Sequence, residues 1–162
     1  EKMESLINLK EDLIGFILQK RQAKNKRNRI KNESIKILHL KSPSGLDIQI
    51  GKNHRQNELI SIKNANKGDI WFHAQECPGS HIVIKGSNGE IQDEDIIVAA
   101  NLAAFHSKAK HNNTVSILMA PTNKLQKLKG TPPGMVSPKE MKVLWANPSD
   151  GQDYLEKSTK DT

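Results

Sequence analysis

The chain has one cysteine in 162 residues, Cys77. That excludes an internal disulfide and is compatible with a reducing compartment. Aromatic residues are scarce, six in all or 4%. With several of them expected in the core, an extended stacking platform for single strands is not expected. No apolar run approaches the ~20 residues that a membrane-spanning helix needs. The start carries no charged, apolar and small-residue succession of an export signal. Acidic residues are also in deficit: 25 Lys and Arg face 18 Asp and Glu, giving a net charge of +7. The pI is near 9.5. Such a balance favours a polyanionic partner, either nucleic acid or an anionic membrane surface, and is silent about fold. Hydrophobic residues make up 35%, low but enough for one domain plus an appendage. Because the first residue is Glu1 and not methionine, the chain is read as a segment of something longer.

What is present is unevenly distributed. Residues 1–31 hold nine basic and four acidic side chains, and from Lys20 to Lys31 seven basic residues occur with no acidic one. Leu6, Leu9, Leu13 and Phe16 fall at heptad seam spacing, and Ile7, Ile14 and Ile17 widen the apolar face. The next seam positions are Lys20, Ala23 and Arg27, so the seam fades where the basic run begins. A helix from Met3 to Arg27 would be ~37 Å long. It reads as the end of a coiled coil followed by a basic linker, with a terminal helix folded back on the body as the alternative.

From Ser34 the period changes from helical to alternating. Ile35, Ile37 and Leu40 precede the turn Ser42-Pro43-Ser44-Gly45, after which Leu46, Ile48 and Ile50 alternate. This pattern predicts a β-hairpin. Residues 56–65 suit a short helix, and Ile70–His73 and His81–Ile84 read as strands around the breaker Cys77-Pro78-Gly79-Ser80. Residues 93–110 form the clearest helix, with Asp93, Glu94 and Asp95 at its positive end and His106, Lys108, Lys110 and His111 at the other. Its stripe of Ala99, Ala100, Ala103 and Ala104 lets a sheet approach its axis closely. Val115–Met119 and Met141–Ala146 are expected strands, residues 121–138 a Lys/Gly/Pro-rich loop, and residues 149–162 a polar, disordered tail. The expected fold is therefore α+β: a mixed, mostly antiparallel sheet on one central alanine-rich helix, preceded by the coiled-coil-type helix. Three regions follow: 1–31, 32–148 and 149–162.

The candidate chemistry is weighed against plainer roles. His73, Cys77 and His81 have His-x3-Cys-x3-His spacing, but Pro78-Gly79 forbids the single helix that would align them. No fourth ligand cluster is evident for zinc, so no metal site is assigned. Cys77 as a nucleophile lacks an orienting third group and is read as an inert, buried thiol. Pro78-Gly79-Ser80-His81 could form a small N–H nest for phosphate. Composition alone favours a tight turn whose polar groups satisfy local backbone. Lys124, Lys127 and Lys129 followed by Gly130, Pro132, Pro133 and Gly134 suit phosphate contact, or equally a solvated loop.

Taken in order, several short motifs resemble one family. They are Gly51-Lys52-Asn53 with Asn57 and Leu59, Asp69-Ile70-Trp71-Phe72-His73, and Pro78-Gly79-Ser80-His81. Ser107-Lys108-Ala109 follows, then Lys127-x-Lys129-Gly130 leading to Pro133-Gly134-Met135-Val136. The set resembles the NFACT-R domain of the NEMF/RqcH proteins, also known as fibronectin-binding protein A-like, over roughly residues 35–148. The helical start likewise resembles the end of that family's coiled coil. The resemblance implies an RNA-contacting module of a ribosome-associated quality control factor. Such factors bind large ribosomal subunits obstructed by a nascent chain still attached to tRNA, and direct template-free C-terminal tailing. Nothing in the chain resembles the companion NFACT-N domain, so tailing and tRNA selection are not assigned to it.

Matched position by position, the resemblance implies RNA contacts by Lys52, Asn53, Arg55, Asn57, His73, Ser80, His81, Lys108, Lys127 and Lys129. The basic members would neutralise phosphates, while Asn53, Asn57, Ser80 and His81 would donate to phosphate or ribose oxygens. Trp71 and His73 have a structural reading as well, the indole packing the sheet and the imidazole satisfying a backbone carbonyl. Expected partners are tRNA, the large ribosomal subunit with its rRNA, and the remaining domains of the full-length protein. No cofactor, metal, membrane or small-molecule substrate is expected, and the location is expected to be cytoplasmic and ribosome-associated. Two other functions are weighed. One is an RNA-processing or RNA-modifying enzyme using His73, Ser80 and His81, which requires those groups to converge in a concave pocket. The other is an adhesin, which the single thiol and the missing export pattern disfavour.

Overall fold

The computed structural model describes residues 2–160, and the side chains of 10–26 and 36–159. The chain divides into two compact units, Glu1–Lys36 and Ile37–Thr162. The first unit is the helix α1 (Lys2–Ile35), so the helical pattern continues through the basic run instead of fading with the seam. Leu13, Ile14, Phe16 and Ile17 are exposed along it, and the Lys20 ammonium lies 4.6 Å from the Phe16 ring centre. Leu6, Ile7, Leu9 and Arg27 of the expected seam lie outside the described side chains.

The second unit is α+β. Strands β1 (Leu38–Lys41), β2 (Asp47–Ile50), β3 (Ile70–Ala74), β4 (Ile82–Ile84) and β5 (Val115–Pro121) contribute to one sheet. A short ribbon, β6 (Leu125–Lys127) with β7 (Val136–Pro138), precedes the last strand, β8 (Lys142–Ala146). The main sheet has the order β1-β2-β4-β3-β5-β8, every pairing antiparallel. Alternation sorts the strand residues to two faces. Ile48, Ile50, Phe72, Ile82, Ile84 and Ile117 join the alanines of α3 (Asp93–Phe105) in one buried cluster. Trp71, Val83 and Ala120 point the other way and pack with Ile60, from the turn that continues α2 (His54–Glu58), and with Leu125 and Val136 of the ribbon. Each fully buried large apolar side chain contributes about 1.5–3 kcal/mol. The sheet is thus stabilised from both faces, save at the edge strand β8, where Val143 and Trp145 stay exposed.

Three expectations need correction. The tail from Pro148 is ordered: Pro148–Lys160 is the helix α4, which packs on α3. A Cβ at Gly151 would lie 2.2 Å from the Asn101 carbonyl oxygen, so the glycine permits the close crossing. The Tyr154 hydroxyl donates to the Lys41 carbonyl. Read as composition, this segment is polar; read for face, it covers the second side of α3. The stretch 121–138 is no bare loop, because its two ends pair as the β6–β7 ribbon. And α3 stops at Phe105, five residues short of the expected end. The Lys108 N–H donates to the Pro78 carbonyl (3.0 Å), which diverts the chain from the helix. His106, Lys108, Lys110 and His111 therefore lie beyond the helix as a separate turn.

Two buried carboxylates fix the loops around this frame. Asp69 accepts from Ser87 N–H and Oγ (3.0 and 2.7 Å), from Asn66 N–H (2.9 Å) and from the Lys85 ammonium. Burial by itself would raise its pKa, but these partners outweigh it and hold the group below the usual carboxylate range. Asp95 accepts from Ser44 N–H (3.0 Å) and Gln92 N–H (2.9 Å). It therefore acts as the N-terminal capping box of α3 and the anchor of the β1–β2 hairpin at once.

Candidate functional site

At one end of the sheet three segments meet. The first is the exit of β2 into α2, residues 51–57. Asn53 is the N-cap of α2, with extended backbone and its Oδ1 accepting from Gln56 N–H (2.9 Å). The Lys52 N–H donates to Gln56 Oε1 (2.8 Å). The second segment is the β3–β4 turn, residues 78–80. The third is the end of α3 and the turn after it, residues 105–110. The Ser80 N–H donates to the His106 carbonyl (2.9 Å) and Gly79 bridges to Ser107. A Cβ at Gly79 would sit 3.1–3.2 Å from Ser107 and the His106 carbonyl, so a side chain there would crowd the strap.

The three segments enclose an open cleft of about 730 Å³. Lys52, Lys108 and Lys110 line it together with His54 and His106, and no carboxylate does. All three lysines are exposed. Burial pushes the His106 imidazole below its ordinary value, its hydrogen bond to the Leu102 carbonyl opposes that, and the Lys52 charge lowers it further. Lys52 and the turn after α3 thus share one electrostatic neighbourhood. With its Nδ1 proton donated to the Leu102 carbonyl (2.9 Å), neutral His106 keeps Nε2 as an acceptor.

Beyond a shared wall of His54, Asn57, Pro78 and Gly79 lies a second pocket of about 400 Å³. Its floor is aromatic. Trp71 and His73 stack with ring centres 5.8 Å apart, and His81 meets both edge-on at 5.5 and 5.1 Å. Burial, then the charges of His73 and His54, push His81 down to about 3. Burial lowers His73 as well, against hydrogen bonds to the backbone of Ala74 and Gly79. His81 is therefore neutral at pH 7. His81 Nδ1 hydrogen-bonds Ser61 Oγ (2.8 Å), and the His81 N–H donates to Asn57 Oδ1 (3.2 Å). Gly134, at φ +85°, brings the Pro133-Gly134 turn against α2; a Cβ there would lie 2.7 Å from the His54 carbonyl.

Of the expected residues, Lys52, Asn53, Asn57, Ser80 and Lys108 come together in the cleft, while His73 and His81 line the neighbouring pocket with Asn57. Arg55 is exposed on α2 but does not line the cleft. The Lys127 ammonium is paired with Glu58, tying the ribbon to α2, and Lys129 is exposed on the ribbon's loop. The N–H nest is corrected: the Ser80 and His81 N–H groups are taken by the His106 carbonyl and Asn57 Oδ1. The plainer turn is what forms. His81, 4% exposed, serves the frame. Ser80 and the two histidines are divided between two depressions, not gathered at one point. Among the described residues no group of three or more His, Cys, Asp or Glu is placed to hold a metal ion, and no helix is long and apolar enough to cross a membrane.

Comparison with known proteins agrees with the motif order. The family model described as the NFACT protein RNA-binding domain matches residues 36–140. Proteins named Rqc2 homolog RqcH are similar. The one from Streptococcus suis is 44% identical over 103 residues, covering 64% of this chain and 18% of the relative. That from Bacillus subtilis is 33% identical over 141 residues, 86% of this chain and 24% of the relative. The chain thus spans a quarter or less of the length of these two relatives. A solved structure, the C-terminal part of the fibronectin/fibrinogen-binding protein from Streptococcus suis, superposes with a TM-score of 0.70 at 39% identity. It covers 76% of this chain and 49% of that one.

Proposed function

This chain belongs to the NFACT protein RNA-binding domain family, and from that premise we propose that the cleft between α2, the 78–80 turn and the end of α3 grips RNA phosphates. The observation that carries this is the convergence of Lys52, Lys108 and Lys110 on one concave surface without a carboxylate in its lining. Lysine ammoniums there neutralise backbone charge without reading sequence. Asn53 and Asn57 have their amide oxygens committed to the fold, so what each retains for a ligand is its NH2 donor, suited to phosphate or ribose oxygens.

The module is a non-catalytic part of a ribosome-associated quality control factor, in keeping with relatives named Rqc2 homolog RqcH. Its RNA is tRNA, the rRNA of the obstructed large subunit, or both, met in the cytoplasm during C-terminal tailing by the whole protein. Lys127 supports binding through Glu58, by holding the ribbon on α2, and Lys129 and Arg55 add peripheral charge.

The test is direct binding of the chain to tRNA and to isolated large subunits across a salt series. Lys52→Glu/Lys108→Glu is expected to weaken both by on the order of tenfold or more. Unchanged binding with an intact fold would remove the cleft from the account. Tight binding to fibronectin with no affinity for either RNA would replace it.

A further inference from the structure

The two depressions share four lining residues and differ completely in charge. The cleft is lined by three lysines and no carboxylate. The pocket beside it has no lysine or arginine in its lining, and its one carboxylate is Glu76. An anion entering the pocket meets repulsion from Glu76 and no fixed cation. The His73 and His81 rings do not alter this, because burial lowers both below an ordinary imidazole. The lining is instead largely planar or apolar: the half-buried His73 ring with the buried rings of Trp71 and His81 packed against it, Leu118 on the adjacent strand, and Met135 and Val136 of the ribbon. The Trp71 indole N–H is fully buried with no acceptor among the described residues. At about 400 Å³ the space is at the small end of ligand pockets and has room for a planar heterocycle.

We propose that this pocket takes a single unpaired nucleobase of the same RNA whose phosphates lie in the cleft. The inference rests on the phosphate reading of the cleft. The two depressions lie on either side of the wall of His54, Asn57, Pro78 and Gly79 that both share, which is what lets neighbouring nucleotides of one RNA occupy both. Aromatic faces accept any base without reading its sequence, so the pocket selects for an unpaired position in the RNA. It adds the one contact that a lysine-lined groove cannot make: discrimination of bulged or looped RNA from a continuous duplex.

The experiment uses the whole chain and two stem-loop RNAs of equal length and phosphate number. One carries a bulged 2-aminopurine, the other an abasic residue at the same position. The 2-aminopurine RNA is expected to bind on the order of tenfold more tightly, with its fluorescence quenched on binding. His73→Ala is expected to bring that ratio towards one. So is Met135→Ser, which lies on an exposed turn and so keeps the test valid if the His73 variant misfolds. Lys52→Glu/Lys108→Glu lowers the affinity of both RNAs and leaves the ratio standing. Equal, salt-sensitive binding of the two RNAs would overturn the pocket while sparing the cleft. A tenfold ratio untouched by both pocket variants would also overturn it, since the base would then sit elsewhere. Binding of neither RNA would overturn the cleft reading, and this one with it.

Discussion

The cleft and the pocket are built within a few residues of each other, yet one is cationic and the other neutral and aromatic. The difference comes from which parts of the fold supply their walls. The cleft collects chain just outside regular elements: the exit of β2, the β3–β4 turn, and the turn after α3. Side chains there face water and can keep their charge, as Lys52, Lys108 and Lys110 do. The pocket is floored by Trp71 and His73 of β3 and by His81 just before β4, on the sheet face opposite α3. Positions that alternate with buried Phe72 and Ile82 cannot carry an unpaired charge without heavy desolvation cost, so they hold Trp71, His73 and His81. Charge at the rim and rings on the sheet is thus a consequence of topology before it is a device for binding.

The comparison can be broken most severely at the wall both depressions share. Gly79→Val would force the turn away from the Ser107 and His106 backbone. We expect a loss of about 2–3 kcal/mol of stability in chemical denaturation, with RNA binding weakened in cleft and pocket alike. A fully stable variant would mean the strap is not tightly packed.

A second test probes the buried floor of the pocket by pH. His81 is near 3 in the folded chain against 6.5 for a free imidazole, so the unfolded chain binds the proton first. Its contribution is complete above about pH 6.5 and is lost as pH falls through the window from there towards 3. At pH 5 the loss is about 2 kcal/mol relative to pH 8. His73 and His106 are lowered too and act with the same sign. Asp69 and Asp95, both held low, matter only once the pH drops below the ordinary carboxylate range. Unfolding midpoints measured from pH 8 to 5 should fall for the unmodified chain and fall less for His81→Gln. Parallel slopes would show that His81 titrates normally.

Smaller effects sharpen the assignment of the ribbon. Lys127→Met leaves the buried Glu58 unpaired and should cost roughly 1 kcal/mol, largely recovered by adding Glu58→Gln. Full recovery of RNA affinity in that double variant would show that Lys127 serves the fold. Lys129→Gln should change stability by less than about 0.5 kcal/mol and RNA affinity only slightly. A large affinity loss would move the binding surface out to the ribbon's loop.

Much of the scaffold was legible because its signals are local. The Pro43–Gly45 turn between alternating runs marks the first hairpin, and the acidic start and alanine stripe mark α3. The parts that were not legible depend on contacts distant in sequence. α4 looks like a solvated tail until Gly151 is seen against Asn101, and β6 and β7 pair across a loop whose composition says only turn. The end of α3 carries no glycine or proline. What stops the helix is Pro78, accepting from Lys108 across some thirty residues. That same contact conceals the functional turn: Ser107 and Lys108 are legible through the Ser107-Lys108-Ala109 motif, while His106 and Lys110 read first as dipole compensation at a helix end. Asn53 and Asn57 were found by motif, but their first duties, capping α2 and holding the His81 backbone, appear only in three dimensions.

The most direct measurement of the central claim is the salt dependence of RNA affinity for three chains: unmodified, Lys52→Gln/Lys108→Gln, and Lys129→Gln. If the cleft holds phosphates, the slope of log Kd against log salt should fall by about two in the double variant, about one for each lysine, and stay near the original for Lys129→Gln. A slope left intact by the double variant, or reduced as much by Lys129→Gln, would contradict it.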